Sequence, residues 1–242
     1  MRNIQYHRLI VMLIGSSMTQ RAFDPTYQGF GIGLTDWYTR IADVILRGLS
    51  GYNSRWLLAG FRAIIGGYFP DLVVLFIGNN DATKGFGQFV PLDEFQSNVV
   101  TMIEILREIN PKVVIILVTP SRANVTIRSD DETKLYAQSL RDIVIRDNSK
   151  DIALLDLWEG DFAIEVGDLH DGSHLNAAGN KKVLEGILDT IRVRFPQFVP
   201  FHDALDSGAT STLTYKFPLW IELAGKSIDE SREVIKSSIN RP

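Results

Sequence analysis

Residues Ile14 to Gln20 read Ile-Gly-Ser-Ser-Met-Thr-Gln and stand directly behind the apolar run Leu9 to Ile14. A strand-like run that empties into two adjacent serines poses a question of nucleophilic chemistry. A serine hydroxyl is a poor nucleophile at neutral pH: it needs a base within hydrogen-bond reach, and the base needs a carboxylate to fix its tautomer and orientation. The chain has four histidines. His7 precedes the first strand, at the wrong edge of a sheet, and His202 lies in the tail. His170 and His174 follow the last strand-like run, and His174 comes three residues after Asp171, with a glycine between them. In a turn entering a helix, an Asp-x-x-His spacing brings the carboxylate back onto one ring nitrogen while the other faces outward. Base and orienter then come from one short loop.

Ester chemistry also needs donors aimed at the oxyanion of the tetrahedral intermediate, each worth on the order of 3 kcal/mol. Gly51 and Asn80 follow the second and third strand-like runs, and the Ser17 N–H is a third donor if a helix starts there. Each residue has a plainer reading. Paired serines cap helices, Gly51 and Gly78 turn the chain, and Asn80 and Asp81 are turn formers. Asp171 could cap a helix starting near Leu175, with His174 an ordinary surface residue. A rival chemistry is a metal site on Asp168, His170, Asp171 and His174, a donor set suited to zinc or manganese. Gly172 interrupts any regular helix through those four.

Four runs are short, β-branched and nearly continuous in apolar character, as strands covered on both faces are: Leu9 to Ile14, Leu72 to Ile77, Val113 to Val118 and Ile152 to Leu157. A weaker fifth, Asp43 to Leu46, lies between the first two. Helical spacing marks Ser54 to Ile65, Leu92 to Ile109, Glu132 to Arg146 and Leu175 to Phe195, and Asn110-Pro111 closes the second of these. Gly29 to Gly33 lacks the dinucleotide fingerprint and is read as shaping the approach to a helix over Leu34 to Asp43. Strands alternating with helices predict a parallel sheet in a three-layer α/β/α sandwich. In such a sheet, ligands gather outside the carboxyl ends of the strands, where all the candidate residues fall.

Composition narrows the function classes. A 242-residue chain with 45% hydrophobic and 22% charged residues supports one sizeable core. The net charge of −4, with cations scattered, offers no basic face for nucleic acid. With no cysteine, disulfides, thiolate-metal sites and cysteine nucleophiles are excluded, and a cytoplasmic home is favoured. The N-terminus imitates a signal peptide, so secretion stays open, but its apolar run is better read as the first strand. No run approaches the roughly 20 apolar residues of a membrane span. Asn124-Val125-Thr126 fits a glycosylation acceptor.

The ordered set resembles the SGNH or GDSL family of serine hydrolases. Gly15 to Gln20 is similar to its first block, Gly51 to its second, Gly78 to Asp81 to its third and Asp171 to Leu175 to its fifth. Within the family, Ala42 to Trp56 and Asn79 to Phe95 look most like the isoamyl acetate-hydrolysing esterase branch. The resemblance implies a flavodoxin-like parallel sheet of five strands, with Ser17 as nucleophile, His174 as base and then acid, and Asp171 as its orienter. It implies an oxyanion hole of Ser17, Gly51 and Asn80, no metal or organic cofactor, and a small-molecule ester substrate with a short acyl group such as acetate; the alternatives are a thioesterase, lysophospholipase or sugar deacetylase of the same family, or a non-catalytic flavodoxin-like module. One departure stands out: Ser16 replaces the family's aspartate. Loops with Phe86, Phe89 and Phe162 are expected to wall a small apolar pocket. Residues 1–196 are read as the hydrolase domain, and 197–242 as an extension packing on it, a lid or a homo-oligomer contact.

Overall fold

The structure, a computed structural model, describes residues 8–126, 128–203 and 220–239. His7 and much of the extension, residues 204–219 and 240–242, lie outside the described residues. Five parallel strands form one sheet in the order β2-β1-β3-β4-β5: β1 Leu9–Gly15, β2 Ala42–Gly48, β3 Leu72–Phe76, β4 Val114–Val118 and β5 Ile152–Leu155. This is the flavodoxin-like order, whose switch point falls between β1 and β3.

Side chains of β1 alternate between the two faces and sort into two apolar clusters. Val11 and Leu13 pack toward α2 (Phe30–Trp37) and α7 (Ala177–Arg194). Met12 and Ile14 pack toward α3 (Ser54–Ala59), α4 (Phe61–Ile65), α5 (Leu92–Ile109) and α6 (Asp130–Asp147). Covering both faces is what makes β1, β3 and β4 read as unbroken apolar runs. The weak reading of β2 has its cause in incomplete cover: after Ala42 none of its residues is fully buried, and it carries Asp43 and Arg47, whereas β5, the other edge strand, is largely buried.

Three expected elements differ in extent. Ser54 to Ile65 is two helices meeting at Gly60, which takes φ −108 and ψ 8 at the junction. The helix foreseen from Leu34 to Asp43 starts at Phe30 and ends at Trp37, and Ala42 and Asp43 already belong to β2. Gly31 and Gly33 therefore lie inside it, where a Cβ at Gly33 would strike Leu184 of α7. The last strand stops at Leu155: the Leu157 N–H donates to the Thr119 hydroxyl at 2.8 Å rather than to a β4 carbonyl, and the Asp156 carboxylate accepts from Thr119, Trp158 N–H and Arg141.

The start of the extension packs on the domain: Phe198 and Val199 join the α2–α7 cluster, and Asp203 accepts from Trp37 Nε1 at 2.9 Å and pairs with Arg192. Two further helices, Trp220–Leu223 and Ile228–Ile239, follow.

Where β1 and β2 end, the short helix α1 (Ser17–Gln20) lies against the sheet edge. A Cβ at Gly48 would fall inside the backbone of Thr19 and Gln20. Main chain cannot yield as a flexible side chain can, so Gly48→Ala is expected to destabilise the fold by about 2 kcal/mol or more, read as a lower urea midpoint at unchanged m.

Candidate active site

Ser16 follows β1 at the N-cap position of α1, is 3% exposed, and makes no side-chain cap bond to α1. Ser17 opens α1, half-buried, at the carboxyl edge of the sheet. His174 Nε2 lies 2.9 Å from Ser17 Oγ, and His174 Nδ1 lies 2.7 Å from Asp171 Oδ2. A carboxylate only accepts, so Nδ1 carries the ring proton and Nε2 presents its lone pair to the hydroxyl. That is the tautomer a general base requires.

The Asp171–His174 unit is a small hairpin rather than a turn entering a helix. Leu169 and Leu175 pair antiparallel, and His170 N–H donates to the His174 carbonyl at 2.9 Å. Gly172 takes φ +79 near the tip, and its carbonyl accepts from Asn124 N–H at 2.8 Å. Asp171 Oδ1 accepts from the Ser173 and His174 N–H groups at 2.9 and 2.7 Å. Asp171 does not cap α7; Asn176 does, accepting from Gly179 N–H. Burial alone would raise the Asp171 carboxyl, but bonds from the His174 ring and from the His174 and Ser173 amides outweigh it and hold the group well below the usual range.

Gly51 and Asn80 lie on the loops after β2 and β3, which lead into α3 and α5 and are stitched together. Gly51 takes φ +81, a conformation that favours glycine, and its carbonyl accepts from Gln88 Nε2 at 2.8 Å. Asn80 Nδ2 donates to the Tyr52 carbonyl at 2.7 Å, which leaves the second N–H of that amide. Asn53 Nδ2 holds the Gln88 carbonyl, and Asp81 Oδ1 accepts from Ser54 N–H at 2.9 Å. The first loop joins them through Gln20 Oε1, which accepts from Ser50 N–H, and the Gly15 carbonyl, which accepts from Leu49 N–H.

The four-residue metal reading is not what the fold assembles. Asp168 is buried and engaged by Lys182 Nζ at 2.7 Å and Glu165 N–H at 2.9 Å. His170, Asp171 and His174 offer ligand atoms within 4.8 Å of one another, yet both His174 nitrogens are already committed and His170 Nε2 faces the Arg21 guanidinium at 2.8 Å. A cation there would displace the Ser17 contact and meet like charge.

The aromatic wall is also corrected. Phe86 is 85% exposed and Phe89 half-exposed, while Phe162 packs on α7, where a Cβ at Gly186 would sit 3.1 Å from its ring. Among the described residues, His174 lines a cavity of about 10 Å³ together with Met18, Arg21, Tyr27, Leu175 and Asn180. Sequence reasoning missed Asn180. Its side chain accepts from Phe30 N–H at 3.2 Å and donates to the Tyr27 carbonyl at 3.1 Å, tying α7 to the segment after the serines. The one available signal was an asparagine repeated four residues after Asn176.

Residues 13–182 match the GDSL-like lipase/acylhydrolase family. An isoamyl acetate-hydrolyzing esterase 1 homolog of Rattus norvegicus is 33% identical over 223 residues, spanning 78% of this chain and 85% of that protein. A GDSL esterase/lipase of Arabidopsis thaliana is 31% identical over 211 residues, spanning 75% and 85%. Among solved structures, a mutant of an acetylxylan esterase from Geobacillus stearothermophilus aligns with TM-score 0.61 over 77% of this chain and 96% of that one, at 22% identity, a likeness of fold. The chain belongs to the GDSL-like lipase/acylhydrolase family and is a carboxylic ester hydrolase. Among the described residues, no helix is long and apolar enough to cross a membrane.

Two carboxylates of the site act on stability in opposite senses. Asp171, held low in the folded state, adds stability above its unfolded pKa that is lost as pH falls toward the folded value. Asp81 is fully buried with Oδ2 unpartnered, and burial pushes it up to about 6 despite its Ser54 contacts. Between an ordinary carboxylate value of about 4 and this raised one, the folded state binds the extra proton, so stability falls as pH rises. Asp81→Asn is therefore expected to flatten the pH dependence of the urea midpoint across that window; an unchanged slope would count against a buried, titrating Asp81.

Proposed function

We propose that this chain hydrolyses small carboxylic esters with short, acetate-type acyl groups through a covalent acyl-Ser17 intermediate. The observation that carries the reading is the continuous line Ser17–His174–Asp171, with contacts of 2.9 and 2.7 Å. His174 Nε2 takes the Ser17 proton as Oγ bonds to the ester carbonyl carbon, and the carbonyl electron pair moves onto oxygen. That oxyanion is received by the Ser17 and Gly51 N–H groups and the free N–H of the Asn80 amide. Collapse breaks the bond to the alcohol oxygen, which takes the proton from His174. Water then repeats the cycle, freeing the acid and restoring Ser17. Asp171 stays ionised throughout and stabilises the imidazolium.

The short acyl preference is supported by the isoamyl acetate-hydrolyzing relatives. A chain-length series of 4-nitrophenyl esters, with an acetylated sugar included, measures it; a preference for long acyl chains would overturn it.

Turnover of 4-nitrophenyl acetate is expected to fall by about 10³ or more in kcat in both Ser17→Ala and His174→Ala. Variants matching wild type would make the serine mechanism wrong. Wild-type activity should be abolished by a fluorophosphonate and untouched by a chelator.

Ser16 in place of aspartate leaves this set intact, since Asp171 and not residue 16 orients the base. Activity is accordingly expected to be retained, and Ser16→Asp to change kcat/KM by less than about a hundredfold, under 3 kcal/mol of barrier. A larger gain would mean that the serine impairs the nucleophile turn.

A further inference from the structure

Arg21 is the one feature of the site edge that the acyl-transfer chemistry does not use. It follows α1 directly, four residues after Ser17, and so stands on the nucleophile's side of the helical turn. Its side chain is exposed, and with His174 it lines the small cavity beside the base. Among the described residues it has no carboxylate partner. Its one hydrogen bond runs from Nη1 to His170 Nε2, at 2.8 Å. Guanidinium has donors only, so His170 accepts through Nε2 and is neutral, with its proton on Nδ1.

His170 is itself held. Its ring stacks on Tyr27 with centroids 4.1 Å apart and planes 5° apart, and its centroid lies 6.0 Å from that of His174. Asp171 Oδ2 is 3.8 Å from His170 Nε2, beyond hydrogen-bond reach, and is committed to His174. Other exposed guanidinium groups are joined to carboxylates, as Arg55 is to Glu94 and Arg232 to Asp229, or to main-chain carbonyls, as Arg146 is to Asp142 and Arg194 to Ile152. Arg21 is instead fixed by a neutral ring, which holds the group in place without cancelling its charge.

The position of the pair selects one half of the substrate. Gly51 and Asn80 stand on the loops after β2 and β3 that lead into α3 and α5 on one face of the sheet, whereas His174, Arg21 and His170 stand together at the end where α2 and α7 cover the opposite face. The alcohol oxygen must come within reach of His174 Nε2 to be protonated, so the alcohol half lies on the Arg21 side. We propose that Arg21, positioned by His170, receives an anionic group, a carboxylate or a phosphate, carried by the alcohol half of the ester. The inference rests on the acyl-Ser17 reading above and names a substrate class for that site. Planar forked donors suit either oxyanion, and the second nitrogen face of Arg21 is what would meet it.

The test compares ester pairs that share the acetyl group and differ in charge. For the carboxylate arm, kcat/KM is measured for 3-acetoxybenzoate and its methyl ester; for the phosphate arm, for 1-acetylglycerol 3-phosphate and 1-acetylglycerol. Arg21→Gln is expected to lower the charged-to-neutral ratio about tenfold in the arm that the enzyme prefers. His170→Leu should lower the same ratio, and His170→Gln, whose amide oxygen can accept from Arg21, should restore most of it. Added salt should erode the wild-type ratio as charge is screened. Ratios unmoved by Arg21→Gln in both arms would overturn the proposal, and an unmoved ratio in His170→Leu would remove His170 from it. If 4-nitrophenyl acetate turnover still depends on Ser17 in those cases, the acyl-enzyme reading stands and only the Arg21 assignment fails.

Discussion

The site depends on closing a gap that the sheet itself creates. Ser17 follows β1 and His174 follows β5, and with β3 and β4 between them those strands are three positions apart. At the usual inter-strand spacing that is about 14 Å, while the hydroxyl and imidazole meet at 2.9 Å. The chain between Leu155 and Ala177 must therefore run back across the ends of β4 and β3. No single bond holds it there. Lys182 fixes Asp168, the hairpin from Leu169 to Leu175 sets the Asp171–His174 geometry, Asn124 holds Gly172, and Asn180 joins α7 to Tyr27 and Phe30. Each bond contributes only about 1 kcal/mol net, so the position of the imidazole is a property of the set. Close packing of α7 on α2, with Gly33 against Leu184, brings the base near enough for those bonds to form.

The opposite wall solves a different problem. Oxyanion donors must be aimed before charge develops, since reorganising them during reaction would cancel their value. Gly51 and Asn80, the donors proposed above, sit on irregular backbone, where nothing regular fixes direction. The fold supplies side chains that bind main chain: Gln88 to Gly51, Asn80 to Tyr52, Asn53 to Gln88 and Asp81 to Ser54. Asp81 shows what this rigidity costs. A carboxylate with one oxygen unpartnered in full burial is raised to about 6, yet its other oxygen is what anchors the start of α3.

Much of this was legible in the residues. β1, β3, β4 and β5 could be read because strands covered on both faces leave continuous apolar runs, and the loops after them carried Ser17, Asn80, Asp171 and His174. The faint signal at β2 and the single helix read across Gly60 mark where pattern carries less information: a half-covered strand keeps polar residues such as Asp43 and Arg47, and a glycine break keeps the helical period on both sides. Phe162 was misjudged because aromatic character does not say which side of a loop meets the core. Asn180 and Arg21 were missed for a shared reason. Their partners, Phe30 and Tyr27 for one and His170 for the other, lie about 150 positions away in the chain. Local spacing cannot show a contact that exists only after α7 returns to β1.

Ser16 can be placed in the same physical terms. It occupies the N-cap position of α1, where a side-chain oxygen ordinarily accepts from an amide two or three residues on, and it makes no such bond. Three residues further, the Thr19 hydroxyl is buried without a partner. A longer carboxylate at residue 16 would offer an acceptor to that first turn, so the orphaned hydroxyl is consistent with a turn that has lost one. The loss has a second side. A carboxylate there would place negative charge next to the Ser17 amide, the proposed oxyanion donor, whereas a neutral serine leaves that amide's field uncancelled. The turn gives up local support and keeps a cleaner electrostatic environment. It is held instead from outside, by Gln20 on Ser50, by Leu49 on the Gly15 carbonyl, and by the main-chain packing of Gly48 against Thr19 and Gln20.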